Sequence, residues 1–504
     1  MTPQQAEAQL LQLHKLEQAG HFNEAGNAYQ QLLSQNPGHP FLLWGLGRCM
    51  MHFGRRNMAA QLFQQAVAAL PTHPQLADDI IQRLNFIGRP EAALRLSDEA
   101  RARFPESVSL ALNRVDSLRL LNRYDEAIPP LREILKAPTP PAAAVLRLIS
   151  CLRQTDKAEE ALQLATESLP GYDGSILDRA GLLNEMAHAQ ERLGEYQSAF
   201  DSLCSSGEIA KQSPEVQSLD ATQYPRLLRS FMASVEARGL PRPPDNSEND
   251  YPHLVFQVGF PRSGTTLVES VLAAHPLVKT SGEAPLWSTA LGVLLAAGLS
   301  MDTLLEEIPR QPVELLARAR KAYWDKVRAE FGSDFDIFVD KQPMNIIYLA
   351  HIRLLFPEAR IIFCERDPRD VCLSCFFQWF SINASNTHFL DWQETAIFYR
   401  QVMDYWLTLR PLLADAAYTL RYEKFVGDFE VETKKLFQFL QLNWDDELLT
   451  FQEKNRERYF HTPSNLAIRR GVKAKATPRW HHYPDAIADV QPLLAPIIKE
   501  FGYS

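Results

Sequence analysis

Gly259, Arg262, Ser263, Gly264, Thr265 and Thr266 are the residues whose types and spacing most clearly suggest chemistry. They belong to the run L-V-F-Q-V-G-F-P-R-S-G-T-T-L-V-E starting at Leu254, where an apolar stretch breaks into a Gly/Ser/Thr loop and then a helical pattern. Gly259 and Gly264 keep the spacing of a nucleotide P-loop, and Thr266 takes its hydroxyl position. Thr265 replaces the lysine that would reach the β- and γ-phosphates, which argues against an ordinary nucleoside-triphosphatase.

The anion-binding physics survives that loss. Backbone N–H groups from Ser263 to Thr266 and the start of the next helix converge on one place, and Arg262 adds a forked cation. Such a cradle suits a terminal group with less charge than a γ-phosphate, held without magnesium. The 5′-phosphosulfate of an activated sulfate donor has that character, so no metal is expected to be required. The plainer alternative is a Gly-rich turn that only joins strand to helix.

P-R-S-G-T-T-L, followed by A-H-P and then G-E, resembles the sulfotransferase superfamily, in particular the branch of tyrosylprotein sulfotransferases and bacterial tetratricopeptide-repeat sulfotransferases. The resemblance covers residues 250–504 and implies 3′-phosphoadenosine 5′-phosphosulfate as donor. Counted without gaps from Arg262, Glu283 falls at the family's catalytic base, which takes the acceptor's proton as its oxygen attacks sulfur. Lys341, after the strand pattern I-F-V-D, matches the lysine that faces the bridging oxygen; as a residue on its own it also reads as a solvated loop lysine. Arg366 and Ser374, eight residues apart, match a clamp on the donor's 3′-phosphate. Tyr422 in L-R-Y-E-K-F-V matches a tyrosine near the adenosine, although the alternation there equally allows a core strand tyrosine. Arg479, before Trp480, stands in a stretch from Ser464 that loosely resembles the family's closing nucleotide loop. Two positions depart from the pattern: Pro285 where the animal enzymes carry an arginine, and Gln378 where a second donor-binding arginine is expected. The acceptor side therefore differs more than the donor side.

The elements that must position these residues follow from the rest of the chain. At 504 residues it is too long for one core. Its net charge of −9 argues against a nucleic-acid binder. Arg469, Arg470, Lys473, Lys475, Arg479, His481 and His482 form a local basic run, open to the donor's phosphates, to an acidic acceptor or to solvent. No stretch approaches the roughly 18 apolar residues of a membrane span, and the polar start M-T-P-Q-Q-A-E-A-Q-L offers no signal peptide, so a cytoplasmic location is expected. Six dispersed cysteines do not make a disulfide framework, and the pair Cys372 and Cys375 falls in a helix that reads as buried.

Ala25, Ala59, Ala93, Ala127 and Ala161 recur every 34 residues, as do Pro37, Pro71 and Pro105, and Gly20, Gly54 and Gly88 mark turns at the same step. Thirty-four is the tetratricopeptide period. Tyr29 and Phe63 supply larger knobs. After Ala161 the step lengthens, with Gly194 and Ala199 in a sixth pair displaced by an insertion near Pro170 to Ser175. The fold expected is multidomain: an all-α tetratricopeptide solenoid of about six units over 1–215, a helical connection and linker over 216–249, and an α/β P-loop-like sulfotransferase domain with a parallel sheet over 250–504.

The function expected is transfer of a sulfuryl group to a hydroxyl of an acceptor protein or a small compound, with protein tyrosine among the candidates. The solenoid's concave face is a candidate peptide-docking surface, or else only a scaffold. Two rivals remain from the sequence: a non-catalytic tetratricopeptide adaptor with a nucleotide-binding domain, and a nucleotide kinase with an altered P-loop.

Overall fold

The computed structural model describes residues 12–68, 74–240, 251–444 and 478–504. The chain divides into two compact units, Met1–Gly174 and Ser175–Ser504.

In the first unit, the helix Phe22–Gln35 precedes four pairs: Pro40–His52 with Arg56–Ala68, Pro74–Phe86 with Pro90–Arg103, Val108–Leu120 with Tyr124–Ile134, and Ala142–Gln154 with Ala158–Ser168. The five periodic alanines are all fully buried, which lets one helix pass close to the next. Tyr29 and Phe63 are seated on glycines. A Cβ on Gly45 would stand 2.2 Å from the Tyr29 ring and one on Gly47 2.5 Å from the Phe63 ring, so neither position accepts a side chain without repacking. The turn before Phe22–Gln35 and the turn inside each pair pass through a left-handed residue: φ is 81° at Gly20, then 69° and 76° at Gly54 and Gly88. The same step continues at Asn122 and Asp156, with φ of 59° and 58°. Asn and Asp tolerate that region better than other side chains, so the period runs on where glycine is lost.

Ile176–Arg192 and Tyr196–Ala210 form the sixth pair, and both helices lie in the second unit rather than in the array. Ala187, Ala199 and Leu203 are buried in that unit's main core, and a Cβ on Gly207 would stand 1.9 Å from the Leu390 carbonyl oxygen. The lengthened step does not come from an insertion near Pro170. Ile176 still follows Ala142 by 34 residues, while the first helix of the pair has 17 residues against 13 in Ala142–Gln154, about one extra turn.

The second unit is built on five parallel strands in the order β2-β3-β1-β4-β5: β1 is His253–Gly259, β2 Val278–Thr280, β3 Ile337–Lys341, β4 Arg360–Glu365 and β5 Ala417–Arg421. Alternate residues of each central strand enter two different cores. Phe256, Val258, Phe338, Ile361 and Phe363 face one layer; Val255, Ile337, Val339, Ile362 and Cys364 face the other, against the helices Thr265–Leu272 and Phe429–Leu440. A sheet covered on both faces reads as near-continuous apolar strands, as these do. Among the described residues, no helix is long and apolar enough to cross a membrane.

The same alternation puts the neighbours Asp340 and Lys341 on opposite faces. Asp340 accepts from Tyr323 Oη at 2.8 Å on the Phe338 side. Burial raises its carboxyl from 3.8 to about 7. Stability from this group is complete below pH 4 and is lost as pH rises through 7. Asp340→Asn, which keeps an acceptor for the tyrosine, is expected to gain on the parent between pH 5 and pH 8, by on the order of 3 kcal/mol. Thermal melts of both proteins at the two pH values check this; parallel curves would exclude it.

Candidate active site

Gly259, Thr280, Lys341, Glu365 and Arg421 end the five strands, so parallel pairing brings the residues that follow them to one edge of the sheet. In open α/β sheets that carboxyl edge is where ligands bind. All the candidate residues of the second unit except Ser374 and Arg479 lie at the ends of strands, in the turns that leave them or at the start of the helix that follows, although they are scattered from Arg262 to Tyr422.

The loop after β1 makes a tight passage into the helix Thr265–Leu272. Arg262 and Gly264 both have positive φ, 71° and 89°. Gly264 is obligatory in a second way, because a Cβ there would stand 2.4 Å from the Tyr422 ring. Gln257, inside β1, reaches up with Nε2 to donate to the Thr265 carbonyl at 2.6 Å and so holds the loop's exit. Ser263, Thr265 and Thr266 are buried.

The Arg262 side chain turns toward the helix Pro368–Phe377 that follows β4. Its Nε donates to Ser374 Oγ at 3.0 Å, and Arg366 Nη1 donates to the Arg262 carbonyl at 3.0 Å. The Arg366 guanidinium lies 4.8 Å above the Tyr422 ring and pairs with Asp370 at 3.3 Å. Burial and the charges of Arg366 and Arg479 push the Arg262 guanidinium down to about 10, with Cys375 acting in the opposite direction. Like charges gathered this closely call for an anion, and Arg366 Nε is buried without an acceptor among the described residues. Arg262, Arg366 and Ser374 therefore form one cluster, with Tyr422 as its floor and as the packing partner of Gly264.

Lys341 is not a solvated loop lysine. It ends β3 and is fully buried. Its Nζ stands 2.5 Å from Glu283 Oε1 and 3.2 Å from Glu269 Oε2. Burial alone would push the ammonium down; the two carboxylates outweigh it and hold the lysine above its ordinary range. Glu283 follows β2 on a left-handed residue, φ 67°, and its side chain is 30% exposed, so it is both held and reachable. Its N–H donates to the Lys341 carbonyl at 3.1 Å, while Ser281 Oγ accepts from the Lys341 N–H at 2.8 Å. A carboxylate just past one strand and an ammonium at the end of the next are thus stitched together through the backbone.

Arg479 is engaged elsewhere. Both arms of its fork go to Glu191, at 2.5 and 2.6 Å, and it lies 3.8 Å from the Phe377 ring. Its charge still acts on Arg262. Of the basic run, Arg469, Arg470, Lys473 and Lys475 lie outside the described residues. Gln378 turns its amide to the Trp379 carbonyl at 3.1 Å, and Pro285 is exposed beyond Glu283.

Four contributors had gone unassigned. Asn184 and His188, one turn apart on Ile176–Arg192, meet the Phe377 carbonyl at 3.0 and 3.1 Å and so cap the helix that carries Ser374. Glu191, on the same helix, holds Arg479. Glu269 is an acid inside T-T-L-V-E-S-V-L, a helix in which every residue is buried. That last signal was legible, since a lone acid in a buried helix needs a cation.

A model of the sulfotransferase family matches residues 252–446, and two tetratricopeptide-repeat models match residues 16–78 and 86–142. An uncharacterized protein of Aquifex aeolicus (strain VF5) is 29% identical over 48% of this chain and 32% of its own length. Protein-tyrosine sulfotransferase 1 of Danio rerio is 24% identical over 40% of this chain and 56% of its own. The chain thus spans about a third and about half of these relatives. Among solved structures, the sulfotransferase domain of the Synechococcus PCC 7002 olefin synthase is 20% identical, covering 51% of this chain and 97% of that one with a TM-score of 0.35. The chain joins a tetratricopeptide-repeat region to an α/β sulfotransferase domain with a five-stranded parallel sheet.

Proposed function

We propose that this protein transfers a sulfuryl group from 3′-phosphoadenosine 5′-phosphosulfate to an acceptor hydroxyl. The observation that carries the reading is the convergence, at one sheet edge, of an acid-and-lysine pair with a separate arginine-serine cluster and a glycine loop between them. In this reading the loop from Gly259 to Thr266 receives the 5′ end of the donor, and Arg262, Arg366 and Ser374 receive the 3′-phosphate. Glu283 accepts the proton of the acceptor hydroxyl as its oxygen bonds to sulfur. The bond from sulfur to the bridging oxygen breaks, its electron pair stays on the phosphate, and Lys341 faces that growing charge. Transfer of this kind needs in-line positioning and charge neutralisation more than covalent chemistry from the protein.

A tyrosine acceptor is supported by the relatives' names and by the demands of a phenol, whose pKa of about 10 calls for a base at neutral pH. Docking of an acceptor protein on the repeat array belongs to the same proposal.

Calorimetric titration with 3′-phosphoadenosine 5′-phosphate, beside ATP with magnesium, tests the donor. Tight binding of the first alone is expected, and preference for ATP would overturn the reading. Arg366→Ala should weaken binding of the 3′,5′-bisphosphate by about 10- to 100-fold, the loss of a charge-assisted contact of roughly 1.5–3 kcal/mol. Unchanged affinity would remove Arg366 from the clamp.

A further inference from the structure

Lys341 has two carboxylate partners, and they are not equivalent. Glu283 is partly exposed and stands on a left-handed turn residue, whereas Glu269 is 1% exposed and fixed in the helix that follows the glycine loop. Glu269 also has a second partner: its Oε1 accepts from the Gly282 N–H at 2.9 Å, one residue before the proposed base. Gly282 itself has φ of 59°, so the turn that presents Glu283 contains two successive left-handed residues. Two such residues need outside contacts to hold them.

In the proposed transfer Glu283 turns its carboxylate, now 2.5 Å from the Lys341 ammonium, to the acceptor hydroxyl. It has to let go of the lysine, and the lysine then needs another anion to stay charged and in place in a buried site. We infer that Glu269 is a positioning residue for the transfer: one oxygen anchors Lys341 and the other anchors the Gly282 turn, so that both catalytic groups keep their places when they separate. It touches neither donor nor acceptor in this role and acts through its two neighbours. The inference rests on the sulfotransferase reading above.

The test compares the full-length parent with Glu269→Gln, which keeps an oxygen for the Gly282 N–H but loses the charge beside Lys341. The probes are 3′-phosphoadenosine 5′-phosphate for binding, and 3′-phosphoadenosine 5′-phosphosulfate with p-nitrophenol for turnover. The parent is measured first; if it neither binds the bisphosphate nor transfers, the reading of function fails and not the role of Glu269. With an active parent, the variant is expected to bind the bisphosphate within about three-fold and keep its donor KM, while kcat falls about 100-fold, the scale of a small misplacement of reacting groups. A folded variant with parental kcat overturns the proposal, as does a loss confined to binding. If the glutamine variant does not fold, Glu269→Asp gives the decision. It keeps the charge but is one methylene short of spanning Lys341 and Gly282, so a selective loss of kcat supports the role and parental kcat refutes it.

Discussion

Glu283→Gln is expected to bind 3′-phosphoadenosine 5′-phosphate as the parent does and to lose turnover by about 10²–10⁴-fold, the usual contribution of a positioned general base. The amide still accepts from Lys341, so the lysine and the Gly282 turn should stay in place and the melting temperature should move little. Stopped-time assays of sulfuryl transfer, together with calorimetry of the bisphosphate, separate the two effects. A variant that kept parental turnover would take the base away from Glu283. One that lost the bisphosphate as well would place this carboxylate in donor binding. The same substitution addresses the adaptor alternative, since a biological activity that survives it does not depend on catalysis.

Lys341→Met should behave differently, because the lysine is packed between two carboxylates and, in the proposed reaction, also faces the leaving phosphate. Its removal leaves Glu269 fully buried with no cation partner among the described residues, and breaking a buried pair from one side costs about 3–5 kcal/mol. Turnover should fall at least as far as in Glu283→Gln, through loss of the charge that faces the leaving phosphate. Adding Glu269→Gln to Lys341→Met neutralises the buried site, and most of the stability is expected to return while turnover does not. Melting curves and transfer assays on the three proteins check this. A single variant as stable as the parent would show that the pair is not held as described, and a double variant that regained turnover would remove Lys341 from the chemistry.

The contrast between these two residues shows where sequence reasoning stops. Both were singled out by local pattern, the glutamate by G-E after A-H-P and the lysine by its place after I-F-V-D. Nothing in the spacing said that their side chains meet, because 58 residues separate them and the meeting depends on β2 and β3 lying side by side. The lysine's burial likewise follows from its place on the inner face of a strand end, which a loop-like local sequence hides.

The repeat array was legible for the opposite reason. Its contacts are made between neighbours one period apart, so composition at a fixed step records the packing directly. Ala25 through Ala161 mark close helix contacts, and Gly20, Gly54 and Gly88 mark turns that need positive φ. The reading faltered at the sixth pair, where one extra helical turn mimics an insertion. It also assigned that pair to the solenoid by pattern, although its apolar residues are spent on the core of the second unit.

By itself, then, the sequence determined the classes of element, the periodic solenoid, the glycine loop at a strand end and the identity of the charged residues, because each is set by local steric and patterning rules. The tertiary structure alone decided which charges share a site. Arg262 turned from its own loop to Ser374, Arg479 was taken by Glu191, and Glu269 became the partner of Lys341. Those choices depend on strand order and on which buried charge lies nearest, and a long-range pairing of that kind leaves no period in the chain.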